Sequence, residues 1–286
     1  MQDIQAAFCG SAGAYAHIAL RRLFPDAATV PFGDFTQAYR SVENGQCELA
    51  VLPLENSFAG EIGTVTDLVF TGGLYIALTA ELPVRHCLLC ADNADSDSVR
   101  TVVSHPQALS QCAGFIRSRG LKTEASSSTA SAAEYVKIRG DASLAAIASE
   151  DAAEIYGLSI LERHINDAPD NTTKFAVFSR EPDFLRAQDF SGNDRFVLVF
   201  TVRDNAGALA EALSVLGAHG YNLSVVRSRP MRQLQWKYYF YAEAEGSADS
   251  ENGRTMLREL SAVCTHLRLV GSFKAVILDE SRPDGQ

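Results

Sequence analysis

The order of apolar and amphipathic segments constrains the fold of this chain more than any other feature of its sequence. Short apolar segments at residues 4–8, 49–52 and 144–147 have strand length, and each is followed by a polar turn and a helix-like stretch. Strands that alternate with helices in this way form parallel-type sheets covered by helices. The part of the chain that ends near Ser179 is therefore predicted to have an α/β fold.

Strand–helix units occur in two runs, on either side of Arg85. An apolar strand at residues 173–179 comes late enough in the chain to return to the first run. This order predicts two lobes that are joined by two crossings and separated by a cleft. Lobe 1 would comprise residues 1–85 and 173–182, and lobe 2 would comprise residues 86–172.

A polar linker at residues 183–194 is expected to separate the two lobes from a second domain. It contains Gly192 and Asn193, which favour turns. Residues 195–279 then follow the order βαββαβ, which is typical of a small ferredoxin-like unit. Residues 280–286 are interpreted as a polar tail.

Charge and composition narrow the classes of partner. The formal net charge is −10 without a block of Lys and Arg, which argues against nucleic acid. Local groups would therefore have to hold an acidic ligand, because no long-range attraction exists. No secretory signal or membrane-length apolar run is evident, so a cytoplasmic protein with reduced cysteines is expected. Cys87 and Cys90 form one isolated pair, and no metal site is predicted.

Small polar residues precede three of the predicted helices. Ser11 and Gly13 follow the first strand, Ser104 precedes a helix in lobe 2, and Ser128 and Thr129 precede another. Ser104 and Ser128 can cap these helices. Because helix N-termini attract negative charge, we expect the three to converge on the cleft and hold an anion.

Polar side chains also follow a predicted strand of lobe 1. Pro53 is expected to stop the strand at residues 49–52, and Glu55, Asn56 and Ser57 come shortly after it. Open α/β sheets place ligand contacts at such strand ends. The same groups could equally cap the next helix.

The last strand of the first domain opens with Thr173 and Lys174, followed by Phe175. A hydroxyl and a cation at the mouth of a strand can face an anionic ligand. Two β-branched threonines are also common at the start of an ordinary strand.

Taken in order, these segments resemble the prephenate dehydratases that carry a C-terminal ACT domain, over nearly the whole chain. The matching segments are residues 10–15, 53–57, 104–109 with Gln111, 173–175, 207–209 and 228–230. The last two resemble phenylalanine-sensing motifs. The resemblance implies a type II periplasmic-binding-protein-like catalytic domain at residues 1–182 and an ACT regulatory domain at residues 195–279.

The resemblance also implies a reaction and the residues that carry it. Prephenate would lose water and CO2 to give phenylpyruvate, on the route to L-phenylalanine and without a cofactor. Thr173 would donate a proton to the leaving hydroxyl, and Glu55 would polarise Thr173 or act as an acid itself. The implied catalytic residues are Thr173, Glu55, Asn56, Ser104 and Gln111. The implied substrate-binding residues are Ser11, Gly13, Ser57, Ser128, Thr129, Lys174 and Phe175. The implied effector-binding residues are Asp204, Gly207, Ala208, Leu209, Asn222, Leu223, Ser228, Arg229 and Pro230.

Three positions depart from the pattern of the family. Lys174 stands where Arg is usual, Ala16 stands where Ser is common, and Arg227 stands where Glu is usual. The resemblance further implies a homodimer or tetramer and L-phenylalanine as the allosteric effector. Three alternatives stay open: the same chemistry on arogenate, decarboxylation without loss of the hydroxyl, and a non-catalytic amino-acid sensor.

Overall fold

The computed structural model describes residues 4–91, 94–231 and 237–278. The chain begins with lobe 1, in which short strands alternate with helices as predicted. The elements are β1 (Gln5–Cys9), α1 (Tyr15–Leu23), β2 (Ala28–Phe32), α2 (Phe35–Glu43), β3 (Leu49–Asn56), β4 (Gly60–Glu61), α3 (Gly63–Thr71) and β5 (Tyr75–Pro83). In the described ranges, no helix is long and apolar enough to cross a bilayer.

Lobe 2 follows a crossing at residues 84–86 and is built on a separate sheet. Its elements are β6 (Cys87–Cys90), β7 (Thr101–Ser104), α4 (Pro106–Gln111), α5 (Ala113–Ser118), β8 (Lys122–Ala125), α6 (Thr129–Arg139), β9 (Leu144–Ala148), α7 (Glu150–Tyr156) and β10 (Ser159–Glu162). The strand order is β10-β6-β9-β7-β8. Ala146 of β9 packs with one hydrophobic cluster and Ile147 with another, so helices cover both faces.

The strand β11 (Thr172–Ser179) returns from lobe 2 and lies between β5 and β3, antiparallel to both. This confirms the prediction of two lobes joined by two crossings. Phe175 and Phe178 are fully buried on β11. Each contributes about 2 kcal/mol through burial, which fixes the strand in the centre of the lobe 1 sheet.

The C-terminal domain has the predicted order βαββαβ and a ferredoxin-like antiparallel sheet. Its elements are β12 (Asn193–Val202), α8 (Ala208–Ala218), β13 (Leu223–Pro230), β14 (Tyr238–Glu245), α9 (Glu251–Val263) and β15 (Cys264–Ile277). The strand order is β13-β14-β12-β15, and the end of β15 pairs with β5 of lobe 1. Tyr241 and Val270 share a hydrophobic cluster with residues of lobe 1. The domain is thus joined to lobe 1 by a continuous sheet and a common core.

Several sequence-based boundaries were wrong. Pro53 does not stop β3, because it lies past the last pairing with β1 at Val51 and beside a bulge at the pairing with β11. Ser104 does not cap α4. His105 does, since its Nδ1 accepts from the backbone N–H of Gln107 at 3.2 Å. The tail predicted at residues 280–286 lies outside the described residues and stays a prediction.

Candidate active site

The pairing of β3 with β11 brings Asn56 directly opposite Thr173. Asn56 is 4% exposed and Thr173 is 8% exposed. The Asn56 Nδ2 atom donates to Thr173 Oγ1 at 3.0 Å and to Asn171 Oδ1 at 2.8 Å. Two segments that are far apart in the sequence therefore form one buried polar pair.

The orientation of the Asn56 amide is set by the loop that follows β3. Its Oδ1 atom accepts from the backbone N–H groups of Phe58 at 3.1 Å and Ala59 at 2.9 Å. Because these partners are donors, the Nδ2 side must face Thr173. The Thr173 hydroxyl is thus an acceptor towards Asn56, and within the described residues no contact takes up its own proton. That proton is available to a ligand.

Asn56 and Thr173 line a cavity of about 250 Å³ between the two lobes. Neutral polar groups and apolar side chains form its wall, and no Asp, Glu, Lys or Arg is among the described residues that line it. The polar lining residues are Tyr15, Asn56, His86, His105, Gln107, Gln111, Ser127, Ser128, Thr129 and Thr173. Phe175 closes the apolar side. The cavity offers hydrogen-bond donors without a formal charge.

The predicted convergence of helix starts is confirmed for three helices. The cavity is lined by Ala14 before α1, by His105 before α4 and by Ser128 before α6. Ser128 accepts from the backbone N–H of Ser131 at 2.9 Å and so caps α6, as the sequence predicted. The N-termini of α1 and α6 bring the positive ends of their backbone dipoles towards the same space.

A buried histidine connects the two lobes beside this cavity. His86 is 2% exposed. Its Nε2 atom lies 3.0 Å from Gln111 Oε1 on lobe 2, and its Nδ1 atom lies 3.1 Å from the Tyr15 hydroxyl on lobe 1. Burial lowers the pKa of His86 to about 4, despite an opposing hydrogen bond with Gln111. His86 is therefore neutral near pH 7 and acts as a hydrogen-bonding bridge.

The side-chain nitrogen of Gln111 makes no hydrogen bond among the described residues. Its Oε1 atom faces His86, whereas this nitrogen, Nε2, is buried. A buried unpaired donor is costly unless a ligand completes it. Since Gln111 lines the cavity, its amide is a ready donor to a bound molecule.

Glu55 and Lys174 are not on the cavity, contrary to the sequence-based expectation. The Glu55 carboxylate lies 2.6 Å from the guanidinium of Arg227, and Lys174 Nζ lies 3.1 Å from Glu243 Oε1. Both partners belong to the C-terminal domain. Successive side chains on a strand point to opposite faces, so the neighbours of Asn56 and Thr173 must turn away from the cleft.

Four other expected site residues also lie elsewhere. Ser104 is fully buried, and its hydroxyl donates to the carbonyl of Ile147 in the lobe 2 sheet. Ser57 exchanges hydrogen bonds with the backbone at residues 170 and 172. Gly13, with a φ of +85°, packs against Ala152 of α7, and Ser11 does not line the cavity. These four residues stabilise the structure around the cavity but do not line it.

The predicted effector segments lie in the C-terminal domain, at the start of α8 and along β13. Gly207, with a φ of +85°, is the N-cap of α8, and Ala208 is buried. Arg229 faces lobe 1, where its Nε atom donates to Asp67 Oδ1 of α3 at 2.9 Å. One predicted effector residue is thus engaged across the domain boundary.

Sequence reasoning missed His86, Tyr15 and Gln107. A lone histidine that enters an apolar strand was the available signal for His86, because a buried imidazole needs partners for both nitrogens. Gln107 lies within a segment that the family resemblance had covered, and its Nε2 atom donates to Asn56 Oδ1 at 3.4 Å. Tyr15 gave no signal beyond its place at the start of α1.

A larger cleft of about 700 Å³ is less suited to an anion. Tyr15 also lines this cleft, together with the carboxylates of Glu150, Asp151 and Glu154 and the guanidinium groups of Arg22 and Arg85. The carboxylates outnumber the cations, and Arg22 is paired with Asp151 at 3.5 Å, so the cleft favours an anion less than the neutral cavity does. In residues 4–91, 94–231 and 237–278, no group of three His, Cys, Asp or Glu side chains is placed to hold a metal ion.

Comparison with known proteins identifies a single family. The model of the family described as "Prephenate dehydratase" matches residues 6–183. The protein named "Arogenate dehydratase/prephenate dehydratase 2, chloroplastic" from Arabidopsis thaliana is 36% identical over 282 residues, which is 94% of this chain and 72% of that protein.

Two solved structures resemble the whole chain. One is a prephenate dehydratase from Arthrobacter aurescens in complex with L-Phe, with a TM-score of 0.85 and 27% identity over 95% of this chain and 90% of that one. The other is "GqqA", described as a novel type of quorum quenching acylase, with a TM-score of 0.86 and 34% identity over 95% of this chain and 98% of that one.

Proposed function

Because the chain belongs to the prephenate dehydratase family, whose members are hydro-lyases, we propose that its inter-lobe cavity converts prephenate to phenylpyruvate, water and CO2. One observation carries this proposal: among the described residues, the cavity joins a hydroxyl with a free proton, Thr173, to neutral donors and no charged side chain. Oriented neutral donors can hold the carboxylates of a dianion, and the hydroxyl proton can be passed to a leaving hydroxyl.

Thr173 would act on the hydroxyl that leaves. The C–O bond to the ring hydroxyl breaks, and the bond between the ring and its carboxylate supplies the electron pair that makes the ring aromatic. The oxygen takes up a proton through Thr173 and leaves as water, CO2 departs, and a proton from solvent restores the Thr173 hydroxyl. A hydroxyl that accepts a hydrogen bond donates a stronger one, so Asn56 raises the donor strength of Thr173. Aromatisation supplies the driving force, and positioning supplies much of the rate.

The remaining donors would hold the two carboxylates. Gln111 Nε2 is buried and has no hydrogen-bond partner in the part of the chain that the structure describes, and the N-termini of α1 and α6 face the cavity. Charge-assisted hydrogen bonds from such groups are stronger than bonds between neutral partners. Gln111, Gln107, Ser128 and Thr129 are therefore assigned to substrate binding. Lys174 is not, since its ammonium faces Glu243.

We propose prephenate rather than arogenate as the substrate because no carboxylate is among the described residues that line the cavity. Arogenate carries an ammonium group, and an ammonium group without a counter-charge would be costly to bury.

To test this, purified protein is supplied with each substrate at equal concentration. Chromatography then measures phenylpyruvate from prephenate and phenylalanine from arogenate. We expect kcat/KM for prephenate to exceed that for arogenate by at least about tenfold. A preference for arogenate would refute the assignment. Mass spectrometry of the product would reveal decarboxylation that retains the hydroxyl, and failure to turn over either substrate would favour a sensor.

The acylase in the comparison raises amide hydrolysis as a rival activity. Such hydrolysis by Thr173 would need a general base that takes its proton. Its described side-chain partner is the Asn56 amide, which donates to Thr173. The geometry therefore favours the lyase, and an assay arm with an acylated quorum signal would detect the alternative.

The division of labour between domains is also part of the proposal. Residues 1–182 would form the catalytic unit, residues 183–194 a linker, and residues 195–279 an ACT regulatory domain that binds L-phenylalanine. The family match to residues 6–183 and the complex of the Arthrobacter aurescens protein with L-Phe support this division.

A further inference from the structure

The two strands that carry Asn56 and Thr173 also carry a pair of opposite charges. In the antiparallel register Thr173 lies opposite Asn56, and Lys174 lies opposite Glu55. Since side chains alternate along a strand, the first pair faces the cavity and the second faces the opposite side of the sheet. Each cavity residue thus has a charged neighbour one position away on its own strand.

Both charged neighbours bind the C-terminal domain. Arg227 on β13 lies 2.6 Å from Glu55 Oε1, and Glu243 on β14 lies 3.1 and 3.3 Å from Lys174 Nζ. The two strands are themselves adjacent in the C-terminal sheet. The neighbouring strands β13 and β14 of the C-terminal domain therefore form ion pairs with the neighbouring strands β3 and β11 of lobe 1.

These ion pairs are partly sheltered from solvent, least at Glu55, whose side chain is 33% exposed. The side chain of Glu243 is 3% exposed, and those of Lys174 and Arg227 are 20% exposed. Tyr241 is buried among them. Its pKa is raised well above the usual value, mainly by burial and also by Glu243, and Arg227 has a smaller opposing effect. Loss of one partner from such a pair leaves a sheltered charge without compensation.

We propose that Glu55 and Lys174 are positioning residues, which hold the β3–β11 register and thereby the Asn56–Thr173 hydrogen bond through Arg227 and Glu243. The inference rests on the proposed function of Asn56 and Thr173. It assigns the C-terminal domain a part in building the catalytic geometry. A rearrangement of β13 or β14 would then shift Glu55 or Lys174, and with it the adjacent cavity residue, Asn56 or Thr173.

A charge swap tests the pair of Glu55 and Arg227. The single variants Glu55→Arg and Arg227→Glu place like charges together, and we expect each to lower kcat at least about tenfold with little change in KM. The double variant Glu55→Arg/Arg227→Glu restores attraction, and we expect it to recover most of the lost kcat. A double variant no more active than the singles would overturn the proposal.

The Lys174–Glu243 pair supplies a second series. Lys174→Arg keeps the charge and should retain kcat, whereas Lys174→Met should lower it. The matched control is Asp67→Asn, which weakens the contact of Asp67 with Arg229 at the same domain boundary but on α3. It should leave kcat near that of the parent. A loss of kcat in the control equal to that in Lys174→Met would show a general loosening and contradict the specific role.

Amide hydrogen exchange separates this inference from the proposed function. In the single variants we expect faster exchange in β3 and β11, and in the double variant we expect the parent rate. This readout needs no substrate. If the parent turned over no substrate, the proposed function would be wrong. The exchange rates of β3 and β11 would still show whether the C-terminal domain holds these strands. Unchanged exchange in the single variants would overturn the coupling itself.

Discussion

At the scale of single residues, the site depends on which end of the Asn56 amide faces Thr173. Backbone N–H groups of Phe58 and Ala59 hold the oxygen, so the nitrogen faces the hydroxyl. The direction of this one hydrogen bond leaves the Thr173 proton for the ligand. A change that reverses the direction, without changing the size of the side chain, should therefore lower turnover strongly.

Asn56→Asp makes that reversal. One carboxylate oxygen can still accept from Phe58 and Ala59, but the other would accept the Thr173 proton and withdraw it from the substrate. We expect kcat to fall by about 10²-fold or more, the scale of a lost general acid. Steady-state kinetics with circular dichroism would measure it, and Asn44→Asp at the exposed end of α2 is the matched control. An active Asn56→Asp protein would contradict the assigned direction.

His86 makes a second prediction, which concerns stability. Burial lowers its pKa from 6.5 to about 4 in the folded protein. Between these pH values the unfolded chain binds the extra proton, so the free energy of unfolding falls as the pH falls. For this single group the loss is at most about 3 kcal/mol.

Denaturant unfolding at pH values from 6.5 to 4 would measure this loss. The His86→Gln variant should lose less free energy of unfolding than the parent over the same interval, because the titrating group is absent. The exposed His266 gives the control His266→Gln, which should keep the dependence of the parent. Parallel curves for His86→Gln and the parent would mean that His86 is not held neutral by burial.

At the scale of secondary-structure elements, strand alternation explains which of the predicted residues line the cavity. The pattern placed β3 and β11 with Asn56 and Thr173 at their ends, the family resemblance added Gln111, and all three line one cavity. It did not separate Glu55 from Asn56, because a predicted loop after Pro53 carries no alternation. Once β3 extends to Asn56, the opposite orientation of Glu55 follows.

Contacts between distant elements could not be derived from the sequence. Ser104 looked like a helix cap, yet its hydroxyl bonds to Ile147 on a neighbouring strand. The ion pairs of Glu55 and Lys174 join segments of two domains, and only the fold brings them together. The order of strands and helices predicted the two lobes and the βαββαβ unit because each element records its own burial pattern locally.

The turn before α1 makes a prediction at this scale. Gly13 has a φ of +85°, and an added Cβ would lie 3.2 Å from Ala152 on α7 of the other lobe. Gly13→Ala should therefore cost backbone strain and also push the lobes apart, which raises KM. Gly220, with a φ of +78° and no atom within 4 Å of an added Cβ, is the control for strain alone. Calorimetric unfolding should show a larger loss for Gly13→Ala than for Gly220→Ala, each at least about 1 kcal/mol. Equal losses and an unchanged KM would argue against the lobe contact.

At the scale of the whole molecule, an acidic chain is proposed to bind an acidic substrate. The net charge of −10 gives no long-range attraction, and the lining of the cavity has no cation among the described residues. Binding would then rely on donors fixed by the fold, with the C-terminal domain bracing the strands that carry them. Such binding should depend only weakly on ionic strength.

L-Phenylalanine is expected to bind the C-terminal domain and inhibit turnover. The ion pairs to β3 and β11 give a route from that domain to the cavity. Calorimetry with the full chain, together with prephenate kinetics at rising phenylalanine, would measure both effects. We expect the two ligands to weaken each other by the same factor at equilibrium. No binding at millimolar phenylalanine would mean that the chain with Arg227 has lost or altered this response.

The most direct test of the account is the turnover of prephenate by Thr173→Val, which removes the hydroxyl and keeps the shape of the side chain. If the Thr173 hydroxyl delivers the proton, kcat falls by about 10²-fold or more in this variant, while Thr173→Ser retains much of the activity. Phenylpyruvate formation by Thr173→Val at the rate of the parent enzyme would rule out this role of Thr173.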